Sequence, residues 1–172
     1  YLRPSPLGVD AEYAWNFLGC EGENVTIFDI EGGWEVSHAD FPSFVFQSGN
    51  TDDPDFREHG TAVVGQMVAV KNNYGITGIA NKAKIGAVSF FDGGVTNAIG
   101  LAISKAKKGD VVLLELQARG PGSGDSCECN CGQFEQIPME YWQSNYDIIE
   151  TAVKRGVIVI TPAGNGSMDL EA

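Results

Sequence analysis

"NVTIFDI" (Asn24–Ile30) is a run in which apolar and β-branched side chains follow one another without the polar alternation of a half-exposed strand. Such a segment is buried on both faces, as in a parallel sheet covered by helices on either side. Three further runs share its character: "AKIGAVSFF" (Ala83–Phe91), "DVVLLELQ" (Asp110–Gln117) and "VIVITPA" (Val157–Ala163). Helical patterns separate them. "HGTAVVGQMVAV" (His59–Val70) is small and apolar nearly all round. "VTNAIGLAISKAKK" (Val95–Lys108) is amphipathic and closed by Gly109, and "MEYWQSNYDIIETAVKRG" (Met139–Gly156) also ends on Gly. Gly just past a helical pattern is a stop signal. The alternation predicts an α/β fold with a doubly wound, mostly parallel sheet, and no linker or internal repeat divides the 172 residues.

Bulk properties narrow the function. At 43% hydrophobic and 20% charged the chain has ample apolar surface for a core, which excludes intrinsic disorder. A net charge of −12 argues against a nucleic-acid partner, because phosphate binding needs a basic face. No apolar stretch is long enough to cross a bilayer as a helix. Three of the four cysteines, Cys127, Cys129 and Cys131, sit in "CECNCG"; the fourth is Cys20. Disulfides to distant partners, a metal cluster and free thiols all stay open. The Cys-x-Cys spacing fits zinc poorly, and oxidised cysteines would suit a secreted protein. The segment holding this cluster, "ARGPGSGDSCECNCGQFEQIP" (residues 118–138), is too long and Gly-rich for a simple connection. It also follows the carboxyl end of a strand, where open α/β sheets place their sites.

Three residues are candidates for chemistry. Asp29 is a carboxylate emerging from a buried strand, which is costly without a partner or a task. His59, followed by Gly60 and Thr61, opens a helix and can serve as a base. Asn165, in "PAGNG" after the fourth strand, carries an amide able to donate to a developing oxyanion. His38, in "SHADF", has no such setting and reads as structural.

Together these segments resemble the subtilisin-like serine proteases. "VTIFDIEGGWEVSHADF" is similar to that family's Asp segment, "HGTAVVGQMVA" to its His segment, "GITGIANKAKIGAVSFF" to its Gly-hydrophobic-Ala-x-x-Ala-x-hydrophobic segment, and "GVIVITPAGNG" to its oxyanion segment. The likeness runs from about Pro6 to Asn165. It implies the subtilisin fold, incomplete without a C-terminal part or partner chain, with residues 1–172 as the N-terminal portion of one catalytic domain. It also implies a secreted serine endopeptidase acting on proteins or peptides. Asp29 would orient His59, His59 would be the base, and Asn165 would stabilise the oxyanion. Glu115, Leu116, Gln117, Ala163 and Gly164 would bind substrate backbone.

The departures are informative. The family's catalytic Asp is followed by Thr or Ser and then Gly, whereas Ile30 and Glu31 follow Asp29. Ala62 stands where a second His is common, and Glu115-Leu116-Gln117 replaces Ser-Leu-Gly. Glu115 either favours basic side chains in the substrate or pairs with a nearby Arg such as Arg119. No cofactor is required. Calcium is common in the family and stays possible here, although no Asp-x-Asp-x-Asp-Gly loop is present and no metal ligands are assigned. The Gly-Thr-Ser-Met-Ala nucleophile segment is missing; "GNGSMD" mimics part of it at Ser167 but occupies the oxyanion turn. The expectation is therefore a Ser carried on a second chain produced by maturation, or on a missing C-terminal part. A non-catalytic peptide- or partner-binding protein on the same fold is the alternative.

Overall fold

The computed structural model describes residues 2–122 and 132–170. Five parallel strands form the central sheet: β1 (Thr26–Glu31), β2 (Phe46–Ser48), β3 (Lys84–Ser89), β4 (Val111–Leu114) and β7 (Ile158–Ile160), in the order β2-β3-β1-β4-β7. Strands β5 (Gln117–Arg119) and β6 (Gln136–Pro138) form a separate antiparallel pair. The helices are α1 (Ala11–Ala14), α2 (Arg57–Val68), α3 (Gly94–Lys105) and α4 (Gln143–Lys154). This is the doubly wound parallel sheet expected from the apolar runs.

The apolar run at residues 24–30 forms the central strand. β1 lies between β3 and β4, with Asp29 opposite Ala87 on one side and Leu113 on the other. Successive residues on a strand face opposite ways. Phe28 and Ile30 enter a core with Val88, Val112, Leu114 and the α3 residues Ala98, Ile99 and Ala102. Ile27, Ile85 and Ala87 enter a second core with Trp34 and the α2 residues Val64 and Val68. Helices thus cover both faces, which is why β1 lacks polar alternation. Asp29 and Glu31 share the face of Ile27, so both carboxylates point to the side that α2 covers.

Boundaries differ from expectation where local geometry intervenes. β2 was not anticipated; it is three residues long, half exposed, and carries no apolar run. The third predicted strand ends at Leu114, not Gln117, and Gln117 starts the hairpin with β6 instead. The predicted helix from Met139 begins as a separate single turn of 3₁₀ helix, Met139–Tyr141, because Trp142 is extended (φ −83°, ψ 121°). α4 then runs to Lys154, and Gly156 takes the left-handed conformation (φ +81°) that ends it.

β7 lies at one end of the sheet, and Ile158 and Ile160 are 52% and 50% exposed. Edges of this kind template association with other chains. The 172-residue chain in isolation is expected to associate in a concentration-dependent way, measurable by light scattering. Ile158→Lys should suppress this while shifting stability by less than about 0.5 kcal/mol, as an exposed substitution does. Undiminished association in that variant would point away from this edge.

Candidate active site

The site gathers at the carboxyl ends of β1, β4 and β7. β1 ends at Glu31, which is 1% exposed. His59 is the third residue of α2, and its side chain is 57% exposed. Its Nδ1 lies 2.6 Å from Glu31 Oε2. With Glu31 ionised, the proton sits on Nδ1 and leaves Nε2 with a free lone pair. Glu31 Oε1 accepts a second hydrogen bond from the Gly32 N–H, at 2.9 Å. Burial pushes the Glu31 carboxyl upward, while the Gly32 N–H and His59 pull against it.

The expected contact between Asp29 and His59 is not formed. Asp29 lies two residues deeper in the sheet, fully buried, and accepts a hydrogen bond from Trp34 Nε1 at 2.7 Å. The physical reason is reach: a carboxylate at the strand end meets the first turn of α2, whereas one two residues earlier faces the packed interior. Burial pushes the Asp29 carboxyl up to about 8, the charges of Glu31 and Glu115 push the same way, and the Trp34 bond opposes them. The signal for Glu31 was present in the sequence. An acid followed by one residue and then Gly is satisfied by Glu31-Gly32-Gly33 and not by Asp29.

Close approach of α2 to β1 depends on Gly60. A Cβ there would stand 2.2 Å from the Gly33 carbonyl oxygen, 2.9 Å from Trp34 Cδ1 and 3.0 Å from Glu31 Cγ. Thr61 bonds a neighbour instead of capping the helix start: its hydroxyl donates to the Arg57 carbonyl at 2.6 Å and accepts the Glu35 N–H at 2.8 Å. His38 is outside the site; it stacks on Phe41 and accepts the Asp40 N–H.

His59 and Asn165 line one cavity of about 130 Å³ with Glu115, Leu116, Gln117, Gln133, Pro162 and Gly164. Of the expected substrate contacts, Ala163 does not line this cavity. Neither does Ser167, which takes a positive φ in the turn beyond Asn165. That turn is held by the β5–β6 hairpin. Gln117 Oε1 accepts the Asn165 N–H at 2.6 Å, and the Glu135 N–H donates to the Gly166 carbonyl at 3.2 Å. Gly164 and Gly166 must be glycine, since a Cβ on either would come within 2.9 Å and 2.2 Å of the Gln136 carbonyl oxygen.

A wider cleft of about 550 Å³ continues from Glu31 and His59 over Asp55, Phe56, Phe90, Glu115 and Gln136. The expected alternative of a Glu115–Arg119 pair is not formed. The Arg119 guanidinium donates from Nε and Nη2 to Glu135, at 2.8 and 2.6 Å. Among the described residues no group of three or more His, Cys, Asp or Glu is arranged to hold a metal. Cys20 is exposed, and the cluster Cys127, Cys129 and Cys131 lies outside the described residues.

A model of the subtilase family matches residues 22–172. The chain belongs to the subtilase family. Among similar subtilases, rat proprotein convertase subtilisin/kexin type 6 is 34% identical over 175 residues, which cover 94% of this chain and 18% of that protein. The major intracellular serine protease of Bacillus subtilis is 27% identical, over 86% of this chain and 44% of its own length. A crystal structure of a psychrophilic subtilisin-like protease from the Antarctic Pseudoalteromonas sp. AS-11 aligns with a TM-score of 0.47 at 24% identity, covering 64% of this chain and 30% of that one. The chain therefore spans less than half the length of these subtilases.

The buried carboxyl of Asp29 makes stability depend on pH. Its ordinary value is 3.8 and its folded value about 8, so between these the folded chain keeps a proton that the unfolded chain releases. Stability then falls as pH rises through that window. Asp29→Asn removes the effect. The difference in Tm between the variant and the parent should move in the variant's favour from pH 5 to pH 8, measured by calorimetry. A pH-independent difference would contradict the buried neutral carboxyl.

Proposed function

We propose that this subtilase chain supplies the base, its orienting carboxylate and an oxyanion donor of a serine endopeptidase. The nucleophilic Ser comes from polypeptide outside these 172 residues, either continuous with them or on a second chain left by maturation. The observation that carries this reading is the placement of His59 between Glu31, at 2.6 Å, and a cavity that it shares with Asn165.

In this mechanism Glu31 accepts the Nδ1–H of His59 and holds the tautomer whose Nε2 is free. As the Ser oxygen bonds to the peptide carbonyl carbon, its proton passes to Nε2, and the carbonyl π electrons become the oxyanion. The Asn165 amide and a backbone N–H donate to that oxygen. When the C–N bond breaks, His59 returns the proton to the leaving amine, and water repeats the sequence on the acyl-enzyme. Residues Glu115 and Leu116 lie between the ends of β4 and β5 and offer their backbone to an extended substrate, with Gln117 and Gly164 beside them. An extracellular setting belongs to the same proposal, supported by the net charge of −12 and the cysteine cluster.

Fluorophosphonate labelling of the complete protein tests the reading. The label should appear on a Ser outside residues 1–172. Glu31→Gln should lower kcat by about 10³–10⁴, as loss of the orienting carboxylate does in such triads. Asn165→Ala should lower it by about 10²–10³. Absence of any label would favour the peptide-binding alternative, and a label that persists in His59→Ala would remove His59 from its role.

Glu115 adds a preference. With Arg119 committed to Glu135, Glu115 stands in the cleft beside Glu31 and Asp55, and the described lining of that cleft contains no Lys or Arg. A basic side chain next to the scissile bond is favoured there by Coulomb attraction. Glu115→Gln should reduce the kcat/KM ratio between basic and neutral peptide substrates by roughly tenfold at low salt. An unchanged ratio would place the specificity elsewhere.

A further inference from the structure

Asp29 has no part in the acyl-transfer chemistry above, yet it is completely buried beneath it. Its neighbours across the sheet are apolar: Ala87 on β3 and Leu113 on β4. The charged groups that act on it are Glu31, two residues along the same face of β1, and Glu115 beyond the end of β4. On the α2 side stand Trp34, against which Gly60 is pressed, and His59, which Glu31 holds. No Lys or Arg is among these groups.

Two carboxylates so placed in a dry site repel each other, and a proton settles on one of them. Hydrogen bonds decide which. Glu31 receives two donors, the Gly32 N–H at 2.9 Å and His59 Nδ1 at 2.6 Å. Asp29 receives one, the Trp34 indole N–H at 2.7 Å, and among the described residues its Oδ1 has no partner. Donors favour the charged form of the group they serve. The negative charge therefore resides on Glu31 and the proton on Asp29.

Trp34 gives this arrangement its leverage. It is 1% exposed, its Nε1 is fixed by Asp29, and the same indole borders Gly60 next to His59. We infer that Asp29 is a positioning residue, a neutral acid that fixes Trp34 beneath Gly60 and confines the negative charge of the carboxyl pair to Glu31, where it orients His59. Its consequence for catalysis rests on the peptidase reading; the location of the proton does not.

The test uses the complete protein with Asp29→Asn, Asp29→Leu and Glu31→Gln. Infrared spectra at pH 6.5 should show a protonated-carboxyl C=O band that is lost in Asp29→Asn and retained in Glu31→Gln. In the wild type that band should disappear near pH 8, with a matching alkaline decline in kcat/KM that is absent from Asp29→Asn. Asp29→Leu, which cannot accept the indole N–H, should lower kcat by about tenfold or more through misplacement of the base, with KM nearly constant. Asp29→Asn, which keeps an acceptor oxygen, should recover most of that loss below pH 7. The inference is overturned if the band survives in Asp29→Asn, if the alkaline decline persists there, or if Asp29→Leu keeps the parent kcat. Should Asp29→Leu fail to fold, the infrared band and the pH profile of Asp29→Asn decide. A complete protein without peptidase activity would refute the function proposed above, and the band would still locate the proton.

Discussion

The 2.6 Å hydrogen bond between Glu31 and His59 requires the first turn of α2 to lie on the end of the central strand. That demand propagates outward. It requires Gly60, since any larger residue would strike Gly33, Trp34 and Glu31 at once. It sets the line along which Val64 and Val68 close over Ile27, Ile85 and Ala87. It also places the buried end of β1 under a helix, so that the residue two steps back, Asp29, is sealed from water. The Glu31–His59 geometry and one of the two cores are consequences of a single docking.

The Asn165 turn is held by a different device. It depends on the antiparallel hairpin of β5 and β6, a separate pair that follows the carboxyl end of β4. Gln117 grips the turn through its side chain, and Gln136 leaves no room for anything but glycine at Gly164 and Gly166. The ion pair between the exposed Arg119 guanidinium and the buried Glu135 carboxylate ties β5 to the residue that leads into β6. His59 is thus anchored by the sheet and Asn165 by an appendage to it, so the two halves of the site answer to different parts of the chain.

Much of this was legible from sequence because burial leaves a plain mark. Strands covered on both faces read as unbroken apolar runs, and Gly156 marked the end of α4. His59 and Asn165 stood out as polar residues at the ends of such elements. β2 was invisible, because three half-exposed residues leave no periodicity. The hairpin was hidden because its pairing joins Gln117 to Pro138 across a long segment with no apolar signature. Asp29 was mistaken for the partner of His59 because a strand carrying two acids offers two candidates. Choosing between them needs the distance from the strand end to the helix, or the glycine that follows Glu31 by two.

The central position of β1 has a consequence for synthesis. It leaves the ribosome before its neighbours β3 and β4, and Ile27 has no sheet partners until Ile85 and Val111 exist. Through that interval an apolar run must stay dispersed in water. In the unfolded chain Asp29 and Glu31 both ionise at neutral pH, as ordinary carboxylates do. They then act as gatekeepers that keep the waiting strand solvated and resist premature strand pairing. The charge that protects the nascent strand is the charge that Asp29 gives up when the sheet closes around it.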